Sequence, residues 1–325
     1  MKSKAVALTV ALLSLGALAT LATAAANYPA KPIELLCPYT PASSMDIMAR
    51  LIAEIAPTYT GQPMPVVNKP GAGGSLAAAD IISAKPDGYK LVTLANMFFA
   101  TTTKTQKIPF DPDDLVPLAN FMEYRFGLMV RADSPWKTLN DLLDYGKKNP
   151  GQLKWGHTGR GISIHLTALY IFNKAGVQTI DVPYKGTPES LAALLGGHVD
   201  ASSTVYGPVK DQMMAGKVRF LAVCSEQRYS DQPNVPTVVE LGFPDAAKLG
   251  TFVGIYAHKN TPDPIKSYLI GVSKKIYDDP RFKKGMEQLG EGPAFGGPDF
   301  MRERIKRAEE VGVPMLKELG LYVGK

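Results

Sequence analysis

Short runs of aliphatic and β-branched residues recur along the chain, each closed by a polar turn and followed by apolar residues at three- and four-residue spacing. The runs "IELLCP", "MPVVNK", "KLVTLA", "FGLMVRA", "LKWGHT", "TIDVPY", "DASSTV" and "VRFLAVCS" have strand length and composition. Helical patterns follow from near Ser44, Gly74, Thr138, Ser163, Pro188 and Gly207; in the first, Ile47, Leu51 and Ile55 recur every four residues along one face. This alternation predicts an α/β protein in which mixed, mainly parallel sheets are flanked by helices. The C-terminal third ends in further helical patterns, with Ile265, Leu269 and Val272 on one face and Asp299 and Phe300 opening the last. These read as surface packing elements without chemistry.

Two stretches, "NFMEYRFGLMVRADSP" and "KLGTFVGIYAHKNTP", match in length and in their ending, a strand that runs into a Pro-terminated turn. A chain that leaves one lobe through the first and returns through the second has lobe 1 at 28–127 plus 251–325 and lobe 2 at 128–250. Two connecting strands make a hinge, and hinge closure over a ligand is the motion such an architecture allows.

Ahead of the first strand, Lys2 and Lys4 precede an uncharged apolar stretch, Ala5 to Ala22, and small residues at A-x-A spacing. Residues 1–26 therefore read as a secretory signal peptide cleaved after Ala24 or Ala26, rather than as a retained anchor, and the mature protein is expected to be exported. The formal charge is +6, of which this segment carries two lysines and no acid. Acidic and basic residues are interspersed without a Lys/Arg block, which argues against a nucleic-acid partner and leaves room for small anions. The only cysteines, Cys37 and Cys224, lie in apolar strand runs and read as buried free thiols. With no C-x-x-C and no His/Cys cluster in sequence, neither a metal site nor a cofactor is expected.

Candidate chemistry sits in two loops. "PYTPASSMD" leaves a strand and enters a helix, placing Thr40, Ala42, Ser43 and Ser44 where the first-turn N–H groups are unpaired. Ser43 and Asp46 have the spacing of a capping box, which accounts for both as local structure. The backbone around them still offers an anion site, and carboxylate suits it as well as phosphate does. "LKWGHTGRGISIHL" repeats the arrangement, with Thr158, Arg160, Gly161 and Ser163 in the corresponding positions and His165 one turn into the helix. If the lobes face one another, two helix N-termini converge on one cleft. The histidines form no triad, "GISIH" lacks the G-x-S-x-G elbow of a serine hydrolase, and "NKPGAGGS" lacks the G-x-G-x-x-G and Gly-Lys-Ser/Thr patterns of nucleotide loops. No enzyme is expected; an exported hydrolase using Ser163 with His165 suffers from an i, i+2 spacing that makes the side chains diverge.

The ordered motifs "YPAKPIELLCPYTPASSMDIMARLIA", "NKPGAGGS", "KPDGYKL", "IPFDPDDLVPLA", "TLNDLLDYGKKNPGQLKWGHTGRGISIHL", "VPYKGTPESLAALLGGHVD", "GKVRFLAV" and "PNVPTVVELGFP" resemble those of the Bug receptors, the periplasmic substrate-binding proteins of tripartite tricarboxylate transporters. The resemblance spans nearly the whole mature chain. It implies a two-lobed receptor, expected as a monomer, that closes on an organic acid anion and delivers it to integral-membrane permease subunits. By position it implies ligand loops at Tyr39 to Ser44 and His157 to His165, a third at Asn96 and Met97, and a fourth from Thr204 to Gly207.

Two departures from the family pattern bear on the ligand: "PASSMD" stands where P-G-G-x-x-D is usual, and Arg160 where Asn, Gly or Ser is usual. Arg160 is expected to fork onto a carboxylate, the alternative being a surface pair with an acid of the protein. Tyr39, Met97, Phe98, Phe99, Tyr124, Phe126 and Tyr206 surround the expected cleft and suit an aromatic mono- or dicarboxylate of the terephthalate type better than citrate. An aliphatic di- or tricarboxylate, an acidic amino acid, and a sensor role without transport are the competing readings.

Overall fold

The computed structural model describes residues 27–184 and 186–323; the expected signal peptide lies outside them. In chain order the main elements are β1 (Glu34–Cys37), α1 (Ser44–Thr60), β2 (Val66–Asn68), α2 (Ser75–Ser83), β3 (Lys90–Ala95), α3 (Asn96–Ala100) and β4 (Leu115–Glu123). Next come β5 (Phe126–Arg131), α4 (Leu139–Lys148), β6 (Leu153–His157), α5 (Ser163–Lys174), β7 (Thr179–Pro183), α6 (Thr187–Leu195), β8 (Ala201–Val205), α7 (Lys210–Met214), β9 (Val218–Val223) and α8 (Pro244–Lys248). The chain ends with β10 (Phe252–His258), α9 (Asp263–Asp278), α10 (Pro280–Leu289), β11 (Gly292–Gly296) and α11 (Pro298–Glu318).

The strands form two sheets, ordered β11-β4-β10-β3-β1-β2 and β7-β6-β8-β5-β9. In the first, β1 pairs in parallel with β2 and β3; in the second, β6 pairs in parallel with β7 and β8. The remaining ladders are antiparallel, so each sheet is mixed. Loops that follow parallel strands all leave from the same sheet edge, which is where α/β proteins collect ligand contacts. Gly127 allows β5 to approach its neighbour, because a Cβ there would stand 2.3 Å from the Ala222 carbonyl oxygen.

Each sheet has its own core. One side of the first is filled by Leu35, Met48, Ile52, Phe121 and Phe282, and the second is filled by Trp155, Phe172, Leu128 and Leu221, all essentially removed from water. Cys37 and Cys224 are free and buried in these cores, and burial pushes both thiols up, Cys37 despite an opposing backbone hydrogen bond.

The chain passes from the first sheet to the second through Tyr124 and Arg125 and returns through Thr251. These crossings are joined, because the Tyr124 N–H donates to the Thr251 carbonyl at 2.8 Å. Asn96, fully buried, clips the return: its Nδ2 donates to the Gly250 carbonyl at 3.0 Å and its Oδ1 accepts the Phe252 N–H at 2.8 Å. The Arg125 guanidinium lies 4.3 Å from the Tyr206 ring centroid and 4.2 Å from that of Tyr229, and it pairs with Asp231.

The last helix is more than surface packing. Ala308, Met315 and Leu316 of α11 cluster with Met97 and Ala100 of α3, Leu166 of α5 and Leu249. This apolar cluster joins both halves of the molecule beside the crossings. Its residues come from three helices and the turn at Leu249, so no single amphipathic pattern reveals it.

Candidate ligand-binding site

A cavity of about 510 Å³ lies between the two sheets. Ser43, Ser44 and Met45 reach it from the start of α1; Ile162, Ser163 and Ile164 from the start of α5; and Gly186 and Thr187 from the start of α6. Ala95 and Met97 enter at the short turn of α3, and Thr251 enters at the returning crossing. Much of the wall is apolar, with Leu94, Phe98, Tyr124, Phe126 and Val205 among its residues. No charged side chain among the described residues lines it.

The polar groups that face the cavity are therefore hydroxyls and helix-terminal amides. The first turns of α5 and α6 have no side-chain cap, Ile162 and Gly186 standing at the N-cap positions. Uncapped turns leave N–H groups unpaired and carry the positive end of the helix dipole. At α1 the Ser43 hydroxyl accepts the Asp46 N–H at 3.3 Å. The Ser44 N–H makes no hydrogen bond within the described residues, and the Tyr124 hydroxyl lies against the Met45 backbone. Asp46 turns its carboxylate away from the cavity, accepting from the Ala42 N–H at 2.9 Å, Asn68 Nδ2 at 2.7 Å and Arg50 Nε at 2.9 Å. Ser43 thus caps α1 as expected, while the reciprocal half of the box is displaced by one residue, Asp46 taking the N–H of Ala42, which has φ 66°, and the Ser43 N–H going to the Thr40 carbonyl.

Nine of the residues singled out from sequence line the cavity: Tyr39, Ser43, Ser44, Met97, Thr158 and Ser163, and of the expected aromatic walls Phe98, Tyr124 and Phe126. Thr40 and Ala42 stand on the exposed outer side of their turn. Thr204 is buried, with its hydroxyl 3.5 Å from that of Thr187, while Asn96 and Tyr206 are committed to the crossings described above. Phe99 is likewise a core residue, stacked on Tyr256. Gly161 makes the left-handed turn ahead of α5 with φ 77°.

Arg160 does not make the expected fork toward the cavity. Its Nη2 lies 3.0 Å from Asp181 Oδ1 and 2.9 Å from Oδ2, and the side chain is largely exposed. The partner acid stands on β7, which pairs in parallel beside β6. Asp181 also meets His157 Nε2 at 3.1 Å and His165 Nε2 at 3.6 Å, and burial, the largest influence, holds both imidazoles below their usual range, His165 at about 4. His165 is thereby turned away from Ser163, whose hydroxyl pairs instead with Thr251 Oγ1 at 2.6 Å. The pair that a hydrolase would need is not formed.

Sequence reasoning passed over Gly186, Thr187 and Thr251. The first two follow strand β7 with the same strand-turn-helix order that marked the other loops, so the signal was present in "VPYKGTPES". Thr251 carries no such signal.

A profile described as "Tripartite tricarboxylate transporter family receptor" matches residues 48–319. The chain belongs to this family. The receptor is 37% identical over 302 residues to the UPF0065 protein in the gbd 5′ region of Cupriavidus necator, covering 91% of this chain and 89% of that protein. Its fold is similar to a TctC solute binding protein from Polaromonas, with 30% identity, a TM-score of 0.78, and coverage of 89% of this chain and 99% of the other. It is also similar to R. palustris Rpa4515 in a structure with adipate, with 25% identity, a TM-score of 0.76, and coverage of 90% and 98%. The receptor thus has the two-lobed architecture of periplasmic binding proteins, a class that binds substrate and does not turn it over. No helix of the described residues is long and apolar enough to cross a membrane.

Two acids, Glu291 buried and Glu123 half-buried, sit at the crossing between the sheets. Glu291 accepts from the Ser44 hydroxyl at 3.1 Å and from the Arg125 N–H at 2.9 Å, and burial pushes its carboxyl up to about 8. Burial likewise pushes Glu123, at the end of β4, up to about 7. Because these values lie above the roughly 4.3 of an unfolded glutamate, the native state holds more protons than the unfolded one. The stability they contribute is complete below that value and is lost as pH rises to about 8. The unfolding midpoint of the ligand-free receptor should consequently fall between about pH 5 and pH 8. Glu291→Gln should flatten the fall, since the amide oxygen can still accept the Arg125 N–H while its NH₂ donates to the Ser44 hydroxyl, and neither titrates; thermal melts of the two proteins across this range compare the slopes.

Proposed function

We propose that the protein is the exported solute receptor of a tripartite tricarboxylate-type transporter, which closes on an organic carboxylate and hands it to membrane permease subunits. Residues 1–26 serve as its secretory signal. The lobes exchange at Tyr124–Arg125 and near Thr251, so lobe 2 begins slightly earlier than the hydrophobic pattern suggests.

One observation carries the ligand class: open helix N-termini converge on a cavity that no charged side chain of the described residues lines. Such a site holds an anion through fixed backbone dipoles and hydroxyls, which need no counter-ion buried in the cleft. The family and the adipate found with a similar receptor support carboxylate as the anion. The volume is within the range of small-molecule pockets. Phe98, Tyr124, Phe126 and Tyr39 offer ring faces and edges along its walls, which favour an aromatic mono- or dicarboxylate over a fully polar acid such as citrate.

Thermal-shift titration with aromatic acids, aliphatic diacids, tricarboxylates and acidic amino acids tests this reading, since a ligand that binds only the native state raises the midpoint. Aromatic acids are expected to give the largest shifts. Shifts confined to aliphatic acids would overturn the aromatic assignment, and none with any acid would overturn the receptor's carboxylate class.

A further inference from the structure

Behind the second ligand loop, and apart from the cavity, three potential ligand atoms meet: one each from His157, His165 and Asp181, all within 4.8 Å of one another. We propose that these residues form a binding site for a divalent late first-row transition ion, with Zn²⁺ as its probe.

The spacing carries the argument. Ligands bound at about 2.0–2.1 Å in a tetrahedron lie roughly 3.3 Å from one another. Asp181 Oδ2 stands 3.1 Å from His157 Nε2 and 3.6 Å from His165 Nε2, on either side of that value. Two imidazoles and one carboxylate are a donor set that zinc and its neighbours accept, with a further position left for water.

The surroundings have the form of an outer shell. His157 Nδ1 lies 2.9 Å from the Gly159 carbonyl and 3.2 Å from the Gly159 N–H; a proton on Nδ1 keeps the first contact, gives up the second and leaves Nε2 free to bind the ion. Trp155 packs against both rings, 5.1 Å from His157 and 5.7 Å from His165 between centroids, nearly parallel to the latter at 19°. Arg160 can retain Asp181 Oδ1 at 3.0 Å while Oδ2 turns to the ion. Its charge opposes that of the ion, which weakens the site relative to tight structural zinc sites. For His165 the cost is specific: Nδ1 accepts the Gly161 N–H at 3.2 Å, so coordination through Nε2 moves the ring proton to Nδ1 and breaks that contact. Gly161 lies between Thr158 and Ser163, both in the cavity wall, so occupation by the ion reaches the ligand loop.

Calorimetric titration of untagged, EDTA-stripped receptor with Zn²⁺, in the absence of organic acid, tests the site independently of the ligand. The expected result is one ion per chain, weakened at least about 30-fold by Asp181→Asn and by His165→Gln, the scale on which ligand-shell changes act. Arg160→Ala, an exposed change that leaves the fold intact, is expected to tighten binding. Quenching of tryptophan fluorescence by Co²⁺, reporting on Trp155, should follow the same order. Absence of saturable binding to the wild-type protein would overturn the proposal. So would equal affinity in the folded Asp181→Asn and His165→Gln variants, which would assign the ion to exposed groups such as His198.

Discussion

Thr158→Glu is expected to weaken binding of any organic acid by at least about 100-fold, or roughly 2.7 kcal/mol, while leaving the melting of the ligand-free receptor nearly unchanged. Thr158 is half-buried, lines the cavity and stands in the loop that leads into the uncapped start of α5, whose Ser163 lines the same cavity. A carboxylate introduced there stands beside the place assigned to the ligand's own. Two like charges 4 Å apart repel by about 4 kcal/mol at an effective dielectric constant near 20, which exceeds the contribution of one hydroxyl. Thr158→Val separates the two effects, because removing only the hydroxyl should cost no more than about tenfold. Calorimetry on the three proteins with one ligand is sufficient. Wild-type affinity in Thr158→Glu would place the anion elsewhere in the cavity.

The second large effect falls on stability. Arg125→Ala should lower the free energy of unfolding by about 3 kcal/mol, measured by urea denaturation. The side chain is one-tenth exposed, held between two tyrosine rings and paired with Asp231. Its loss removes stacking contacts on both faces and leaves the Asp231 carboxylate with only neutral partners, Tyr206 among them. Arg125→Met should recover part of the loss, because the stem still packs between the rings. Both variants should also alter ligand affinity, since Arg125 belongs to the crossing about which we propose the lobes close. A change below about 1 kcal/mol in Arg125→Ala would reduce the residue to an ordinary surface cation.

Much of the fold is legible in the sequence because burial writes it there. Strands such as "KLVTLA" and "VRFLAV" are buried along most of their length and so are largely apolar runs, whereas of the Ile47, Leu51 and Ile55 stripe only Ile55 is fully buried, the core face of α1 being Met45, Met48, Ile52 and Ile55. The short helix α3 was hidden because "NMFFA" is little more than one turn, too brief to show a period, and it reads as an extension of β3 into a loop. Strand β11, "GPAFG", is flanked and interrupted by residues that signal turns.

The site was legible where chemistry and local structure coincide. Ser43, Ser44, Thr158 and Ser163 follow strands and precede helices, and the same rule applied to "KGTPES" would have found Thr187. The pairing of Arg160 with Asp181 is not legible in the sequence because its partner is set by sheet order. Asp181 is 21 residues away in sequence and reaches Arg160 only because β7 pairs beside β6. The same pairing assembles the histidine cluster, which no ligand spacing in the chain announces. Tyr206, a plausible aromatic wall, instead stacks on Arg125, a contact between residues far apart in sequence.

The central claim is that the cleft grips a negative carboxylate through helix-terminal amides rather than through a charged side chain. Calorimetric comparison of a bound acid with its primary carboxamide, matched in shape and volume, tests it most directly. The account predicts at least about a hundredfold loss for the amide, because an NH₂ group would face the N–H donors that the acid's oxygen satisfies and the dipole attraction would vanish. Equal affinity for acid and amide would contradict it.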